Sequence, residues 1–305
     1  MTRDQPGDGS HQPADRRDHR VHELRDPRYD AVAQASAAVV IEGYSTSFGW
    51  ASRLLHRPVR GHVRNIYALV RLADEIVDGP LATVDPARST RQLDDLERET
   101  YEAMETGYST NLVVHAFAIT ARRFGLDRDH VRAFFASMRT DLTRSVHTPE
   151  SLDEYIYGSA EVVGLMCLDV FLGAVGRTDV AELTPGARSL GAAFQKINFL
   201  RDLAADHDDL GRTYFPGIDL AAFSDADRDV LVADVQADLD RAATVIPRLP
   251  SNSRTAVSAA HGLFSELNRR VAAVPAAQLL RTRVRVPAPT KARILAAALR
   301  RGSIA

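Results

Sequence analysis

The sequence predicts an all-α fold, and three observations carry that prediction. From Tyr29 onward, apolar residues recur at helical spacing through long segments rich in Ala, Leu and Arg. Alternating β-branched runs, the mark of a half-buried strand, are few. Helix-starting and helix-stopping residues stand at several of the joints.

The elements follow in order. Residues 1–28 mix Pro, Gly, Asp and Arg with almost nothing to bury, so ordering them costs entropy without compensation, and a disordered polar tail is expected. A single all-helical domain is expected over 29–305, with helices at 29–49, 59–78, 87–105, 109–124, 128–144, 150–175, 179–208, 225–245, 252–274 and 288–301. Pro58 precedes the second of these and Gly79-Pro80 ends it. Thr148-Pro149-Glu150 opens the sixth, and Ser251-Asn252-Ser253 offers a cap for the ninth. No linker divides the array.

Composition narrows the function classes. The chain has 305 residues, 45% hydrophobic and 26% charged, with 18 Gly and 14 Pro, which fits a globular protein that needs no disulfide or structural metal. Lys+Arg 38 against Asp+Glu 40 leaves a net charge of −2, so nucleic acid is not an expected partner. Cys167 is the single cysteine and suits a reducing compartment. The polar N-terminus has no signal-peptide apolar region, and no uninterrupted apolar stretch reaches the roughly 18 residues of a membrane span. A cytoplasmic location is expected.

One acidic pattern occurs on two separate helices. In Arg71-Leu72-Ala73-Asp74-Glu75-Ile76-Val77-Asp78, Asp74 and Asp78 share a face, with Arg71 one turn earlier. Ile66, Leu69, Val70, Ala73 and Val77 form an adjoining apolar stripe, so the carboxylates border the interior. Two carboxylates near a helix C-terminus oppose its dipole and call for a counter-charge, from Arg71 or from a hard divalent cation. The second helix carries Gln195, Asn198, Asp202 and Asp206 at spacings of three, four and four, with Arg201 and Arg212 able to grip a phosphate. Either motif alone is the ordinary solvated face of a helix. Two of them with flanking arginines, facing each other across a bundle, can hold Mg²⁺ ions that also bind a substrate diphosphate.

At these residues the sequence resembles the squalene/phytoene synthase family, from about Tyr44 to Arg285. Ser45-Thr46-Ser47-Phe48 matches the family's Ser-x-Ser-Phe segment, and Tyr67 to Arg71 leads into the Asp74–Asp78 box. Tyr155-Ile156-Tyr157-Gly158-Ser159-Ala160-Glu161-Val162-Val163-Gly164 meets the central Tyr-x-Tyr-Gly-x-Ala-x-x-Val-Gly pattern. Gln195, Asn198, Arg201, Asp202, Asp206, Gly211, Arg212, Tyr214 and Pro216 follow the signature of the second box at its usual spacing.

The resemblance implies a class I isoprenoid synthase helical bundle around a central apolar cavity. Its implied activity is head-to-head condensation of two geranylgeranyl diphosphates, through a cyclopropylcarbinyl diphosphate, to phytoene. It further implies that Asp74, Asp78, Asn198, Asp202 and Asp206 bind Mg²⁺ or Mn²⁺, and that Tyr67 and Tyr155 belong to the catalytic group. Ser45, Ser47, Phe48, Arg71, Gln195, Arg201, Arg212 and Tyr214 would serve the substrate diphosphates, with Asn198 and Tyr155 helping. NADPH is not expected for a phytoene synthase. The alternative is a squalene or dehydrosqualene synthase acting on two farnesyl diphosphates. A terpene cyclase or head-to-tail elongase shares the metal logic, but the signature from Gln195 to Pro216 argues against it, and a non-catalytic helical partner protein is the plainest competing reading.

Three positions depart from the family pattern: Glu75 for a second aspartate, Glu161 for glycine and Phe264 for tyrosine. Glu161 stands among apolar residues and must find a partner or a cavity. No HExxH pattern supports a zinc hydrolase. His207 reads as an exposed helix residue, Cys167 as a small core residue, and Trp50 more as packing than as a cation-stabilising face. The basic residues Arg281, Arg283, Arg285, Lys291, Arg293, Arg300 and Arg301 around a short 294–299 helix are either a solvated end or a peripheral contact with an anionic bilayer.

Overall fold

The computed structural model describes residues 26–44, 46–210 and 214–302, and side chains at 46–48, 204–210 and 301–302 are left aside. The tail expected over 1–28 lies outside the described residues as far as 25. Its boundary moves forward, because Asp26 accepts hydrogen bonds from the amides of Arg28 and Tyr29 and starts α1 (Pro27–Tyr44).

The element expected over 29–49 comprises α1 and a separate α2 (Thr46–Ser52). α3 (Arg57–Asp78) has Pro58 in its first turn, where a missing N–H costs nothing. It buries Val59, Val63, Ile66, Leu69, Ala73 and Val77, each larger side chain worth roughly 1.5–3 kcal/mol. Gly79 ends α3 as expected, but Pro80 immediately begins a short α4 (Pro80–Val84) that the sequence reading lacked.

α5 (Pro86–Thr106) is capped by Asp85, whose side chain accepts from the Arg88 amide. α6 (Leu112–Phe124) begins three residues later than expected because Asn111 accepts from the amides of Val113 and Val114. α7 (Arg128–Thr143) is capped by Asp127. Thr148 and Ser151 form a reciprocal cap that opens α8 (Pro149–Ile156).

The helix expected over 150–175 is not one regular α-helix. α8 passes into a π-helical turn at Tyr157–Glu161, closed by Val162 N–H donating to Tyr157 O, and resumes as α9 (Val162–Gly173). A Cβ on Gly158 would lie 2.2 Å from Ala133 O and 2.1 Å from Ser137 Oγ, so α7 lies directly against this turn. Cβ atoms on Gly164 and Gly191 would meet Ala187 O at 2.9 Å and Ala160 O at 2.6 Å, which presses α10 (Val180–Leu210) against the same rod.

α11 (Asp225–Val245) starts with a capping box of Ser224 and Asp227. α12 (Ser251–Ala272) does not use the expected Ser251-Asn252-Ser253 cap. Its N-cap is Pro250 with no side-chain bond, while Asn252 Nδ2 donates to Phe171 O across the interior. After the short α13 (Ala276–Leu279), α14 (Ala288–Gly302) forms where a helix is expected over 288–301 and packs on α12, Ile294 against Gly262. Among the described residues every regular element is helical.

The rod of Pro149–Gly173 is long and apolar enough on average to cross a membrane, although Glu161 and Asp169 interrupt it and no uninterrupted apolar run reaches that length. Half of its most apolar window is buried inside the protein, and Glu161 pairs with Arg188 of α10, so it serves as an interior wall.

Candidate functional site

A cavity of about 880 Å³ lies between α3, α9, α10 and α12. Its direction follows from the helices. α3 and α10 both run toward their acidic ends, while Leu55, Phe171, Leu183, Val245, Ile246 and Leu249 line the opposite end. The acidic ends are connected through aromatic contacts. Asp78 acts electrostatically on Tyr155, whose ring is 6.0 Å from that of Phe199, three residues before Asp202. The two carboxylate helices thus open into one mouth above an apolar interior.

At the mouth, Asp74, Asp78, Arg71, Tyr67, Gln195, Asn198, Arg201, Asp202, Tyr155 and Tyr214 all line the cavity. Arg71 pairs with Glu75 at 2.6 Å and Asp74 at 3.7 Å, and lies 4.3 Å over the Tyr44 ring. Glu75 therefore holds the arginine rather than adding a carboxylate to the mouth. Burial, followed by the charge of Asp78, pushes the Asp74 carboxyl up to about 7, with Arg71 opposing and Glu75 adding to the rise. Asp74 keeps a third of its side-chain surface open to the cavity.

Asp202 is held by two guanidinium groups. Arg201 Nε lies at 3.0 Å and Nη2 at 2.5 Å, while Arg283 Nε lies at 2.7 Å and Nη2 at 3.2 Å. Arg283 comes from the segment after α13, which also brings Arg285 and Lys291 to the cavity wall. Sequence reasoning had left these three in a basic tail. The period-free stretch around Pro287 gave no sign that it folds back over the mouth.

Tyr155 donates its hydroxyl proton to Asp141 Oδ2 at 2.8 Å. Burial holds that hydroxyl well above its usual range, and Asp141 adds to the rise. Asp141 was also missed, since a lone aspartate at the end of α7 carries no motif. Tyr214 stacks on Phe199 at 3.9 Å and lies nearly parallel to the His147 ring at 5.8 Å, so its ring is held in an aromatic cluster.

The other departures also find partners. Glu161 meets Arg188 Nε at 2.5 Å, and Arg188 lies 5.1 Å over the Tyr157 ring. Phe264 stacks on Phe194 at 3.8 Å in the cavity wall, giving an aromatic face where a hydroxyl was in question. Cys167 lines the cavity too. Burial, with Asp169 adding, pushes its thiol up to about 12, so it is a packing residue and not a thiolate.

Ser45 and Arg212 lie outside the described residues, as do the side chains of Ser47, Phe48, Asp206 and His207. Trp50 is 38% exposed. Among the described residues no three His, Cys, Asp or Glu side chains converge on one point. The donor set still fits a hard cation, since the mouth offers oxygen and amide ligands on two helices and a buried carboxyl at Asp74 that Arg71 offsets only in part.

Comparison with known proteins gives a consistent answer. The family model described as squalene/phytoene synthase matches residues 41–290. A phytoene synthase of Arthrospira platensis is 33% identical over 70% of this chain and 68% of its own length. A chloroplastic phytoene synthase 3 of Zea mays is 31% identical over 73% of this chain and 56% of its own. Against several such relatives the chain aligns with only about half of their length. In structure, a dehydrosqualene synthase superposes with a TM-score of 0.77 at 22% identity, covering 92% of this chain and 100% of its own. The squalene synthase HpnC from Alicyclobacillus acidocaldarius superposes at 0.65 and 20% identity, covering 93% and 98%. These two likenesses give the isoprenoid synthase helical fold.

Proposed function

Because the chain belongs to the squalene/phytoene synthase family of prenyltransferases, we propose that it joins two geranylgeranyl diphosphates head to head into phytoene, with loss of diphosphate. The observation that carries this reading is the polarity of the cavity, which has carboxylates and arginines on two helices at one end and a long apolar barrel beneath. The choice of phytoene over squalene follows the named relatives.

Ionisation of an allylic C–O bond leaves negative charge on the diphosphate and a carbocation beside it. Asp74, Asp78, Asn198 and Asp202, with Asp206, are the residues to hold Mg²⁺, and Mn²⁺ suits the same donors. When bound, such ions supply charge stabilisation to the departing diphosphate. Arg71 and Arg201 are aligned to take the same charge, Arg71 fixed by Glu75 and Tyr44 before any substrate arrives. Arg283 can exchange Asp202 for a phosphate oxygen.

The apolar wall excludes water, and the stacked faces of Phe194 and Phe264 offer a cation a π surface where it would otherwise meet solvent. Holding both chains in one barrel converts an encounter into an oriented collision. No hydride donor is assigned, and the reaction is proposed to run without NADPH.

The test is product analysis by mass spectrometry after incubation with C15 or C20 diphosphates and Mg²⁺, with and without NADPH. A C40 product formed without NADPH is expected, whereas a C30 product alone would move the assignment to a squalene or dehydrosqualene synthase. Asp74→Asn and Asp202→Asn should lower diphosphate release by at least about 10²-fold while keeping the helical circular dichroism, in the range for loss of one electrostatic stabiliser. Unchanged turnover in both would favour a non-catalytic helical protein.

The basic segment and α14, with Arg293, Arg300 and the 48%-exposed Leu299, support a peripheral contact between the cavity mouth and an anionic bilayer. Arg293→Gln/Arg300→Gln should then float less with phosphatidylglycerol vesicles than the unaltered protein, and equal flotation would remove the idea.

A further inference from the structure

The depth of the cavity can be measured along α10, the helix that lines it from mouth to floor. From Asp202, Gly191 is eleven residues away, Ala187 fifteen and Leu183 nineteen. At the helical rise these correspond to about 16, 22 and 28 Å. An extended prenyl chain advances four carbon–carbon bonds per unit. With bonds of about 1.5 Å in a zigzag, each unit spans about 5 Å, so three units reach about 15 Å and four about 20 Å. The ionising carbon lies below Asp202 by the depth of the diphosphate. A C15 chain therefore ends between Gly191 and Ala187, while the fourth unit of a C20 chain must pass Ala187 toward Leu183.

That level of the barrel has a specific construction. The side chains that α10 turns to the cavity alternate in size, Leu183, Ala187, Leu190, Gly191 and Phe194. Ala187 is half-buried, packs against the core and lines the cavity. Just beneath it, a Cβ on Gly186 would come within 1.9 Å of Val245 Cγ2. The last turn of α11 is therefore sealed against α10 there, and Val245 forms the floor in place of any side chain at 186. The space for the last unit is a pocket bounded by Val245 below and gated by the single methyl of Ala187.

We propose that Ala187 is the chain-length gate of this cavity, the residue whose small side chain admits the fourth isoprene unit and separates C20 from C15 substrates. The proposal deepens the phytoene synthase reading and rests on it. A benzyl group at 187 would fill the terminal pocket and leave room for three units above it, whereas one at the mouth would impair both substrates alike.

The experiment compares the full chain with its Ala187→Phe form, each given C15 or C20 diphosphate separately, with products quantified by mass spectrometry and folding checked by thermal melt. The expected result is C30 formation from C15 within about threefold of the unaltered chain and C40 formation from C20 lowered at least about twentyfold, inside the range for steric discrimination in an apolar pocket. Val245→Phe, which raises the floor from the other wall, should shift the C30 to C40 ratio in the same direction and serves if Ala187→Phe does not fold. Parallel loss of both products, or an unchanged ratio in the folded variants, would overturn the gate while leaving the phytoene synthase reading intact. An unaltered chain that forms C30 but no C40 product would overturn both, because the open pocket at Ala187 would then admit nothing.

Discussion

His62 offers a test of how α3, which carries the first acidic pair, is fastened to the rest of the bundle. The side chain is 6% exposed, its Nδ1 is 2.9 Å from Thr120 Oγ1 on α6, and Asn65 Nδ2 donates to the same hydroxyl at 3.0 Å. Its ring meets Phe124 edge-on at 4.8 Å. Burial, with the charge of Arg123 adding, lowers its pKa from 6.5 to about 4. A base with a depressed pKa contributes stability that is fully present above 6.5 and is lost as the pH falls through about 4, because the unfolded chain takes up the proton first. The difference of about 2.5 units, at about 1.4 kcal/mol each, gives a loss of about 3 kcal/mol by pH 4. That is a large fraction of the 5–15 kcal/mol by which folded domains exceed their unfolded chains. His62→Asn keeps a hydrogen-bonding group near Thr120 and cannot be charged. Urea unfolding at pH 7.5 and pH 4.0 should show the variant less stable at the upper pH, through lost packing on Phe124. Its deficit should shrink or reverse by about 3 kcal/mol at the lower pH. Asp74 acts with the opposite sign, since its raised carboxyl gains stability as pH falls from about 7, but it is common to both proteins and cancels in the difference. A deficit that stays constant across pH would refute a buried neutral His62.

Two further outcomes follow from the geometry. Gly158→Ala places a methyl against the backbone carbonyl of Ala133, which cannot rotate away, so a loss of about 1–3 kcal/mol and a lowered melting temperature are expected. An unchanged melt would mean that α7 can withdraw freely. Arg283→Gln removes one of the two guanidinium groups on Asp202 from an exposed position, so turnover should fall severalfold with little change in melting temperature; equal turnover would leave Arg283 as a surface residue.

The helices that position the site were largely legible because they are amphipathic or have marked ends. Of the expected stripe, Ile66, Leu69, Ala73 and Val77 are buried and Val70 is half-buried at the cavity wall, and Thr148-Pro149 opens its helix where capping chemistry placed it. Asp74, Asp78 and Asp202 meet one cavity, as the repeated acidic pattern implied. The failures have identifiable causes. The turn at Tyr157–Glu161 adds one residue to an otherwise helical rod, and hydrophobic spacing cannot distinguish that from a continuous helix. Asn252 looked like a cap because short polar residues favour helix starts, yet a long-range acceptor at Phe171 claims its side chain. Arg283 sits on a segment without periodicity and Asp141 on an expected helix but outside any motif, and only tertiary folding brings them to the mouth.

On the proposed metal-dependent reading, the bond from Tyr155 to Asp141 bears on where an entering cation lodges. Asp141 lies in the wall of a cavity that already presents three other described carboxylates, and an additional anionic oxygen there would compete for any cation entering. By committing its only proton to Asp141, and being kept from ionising by its surroundings, Tyr155 occupies one oxygen of that decoy. Tyr155→Phe would remove that hydrogen bond and leave the oxygen more open to an incoming ion, away from the leaving group.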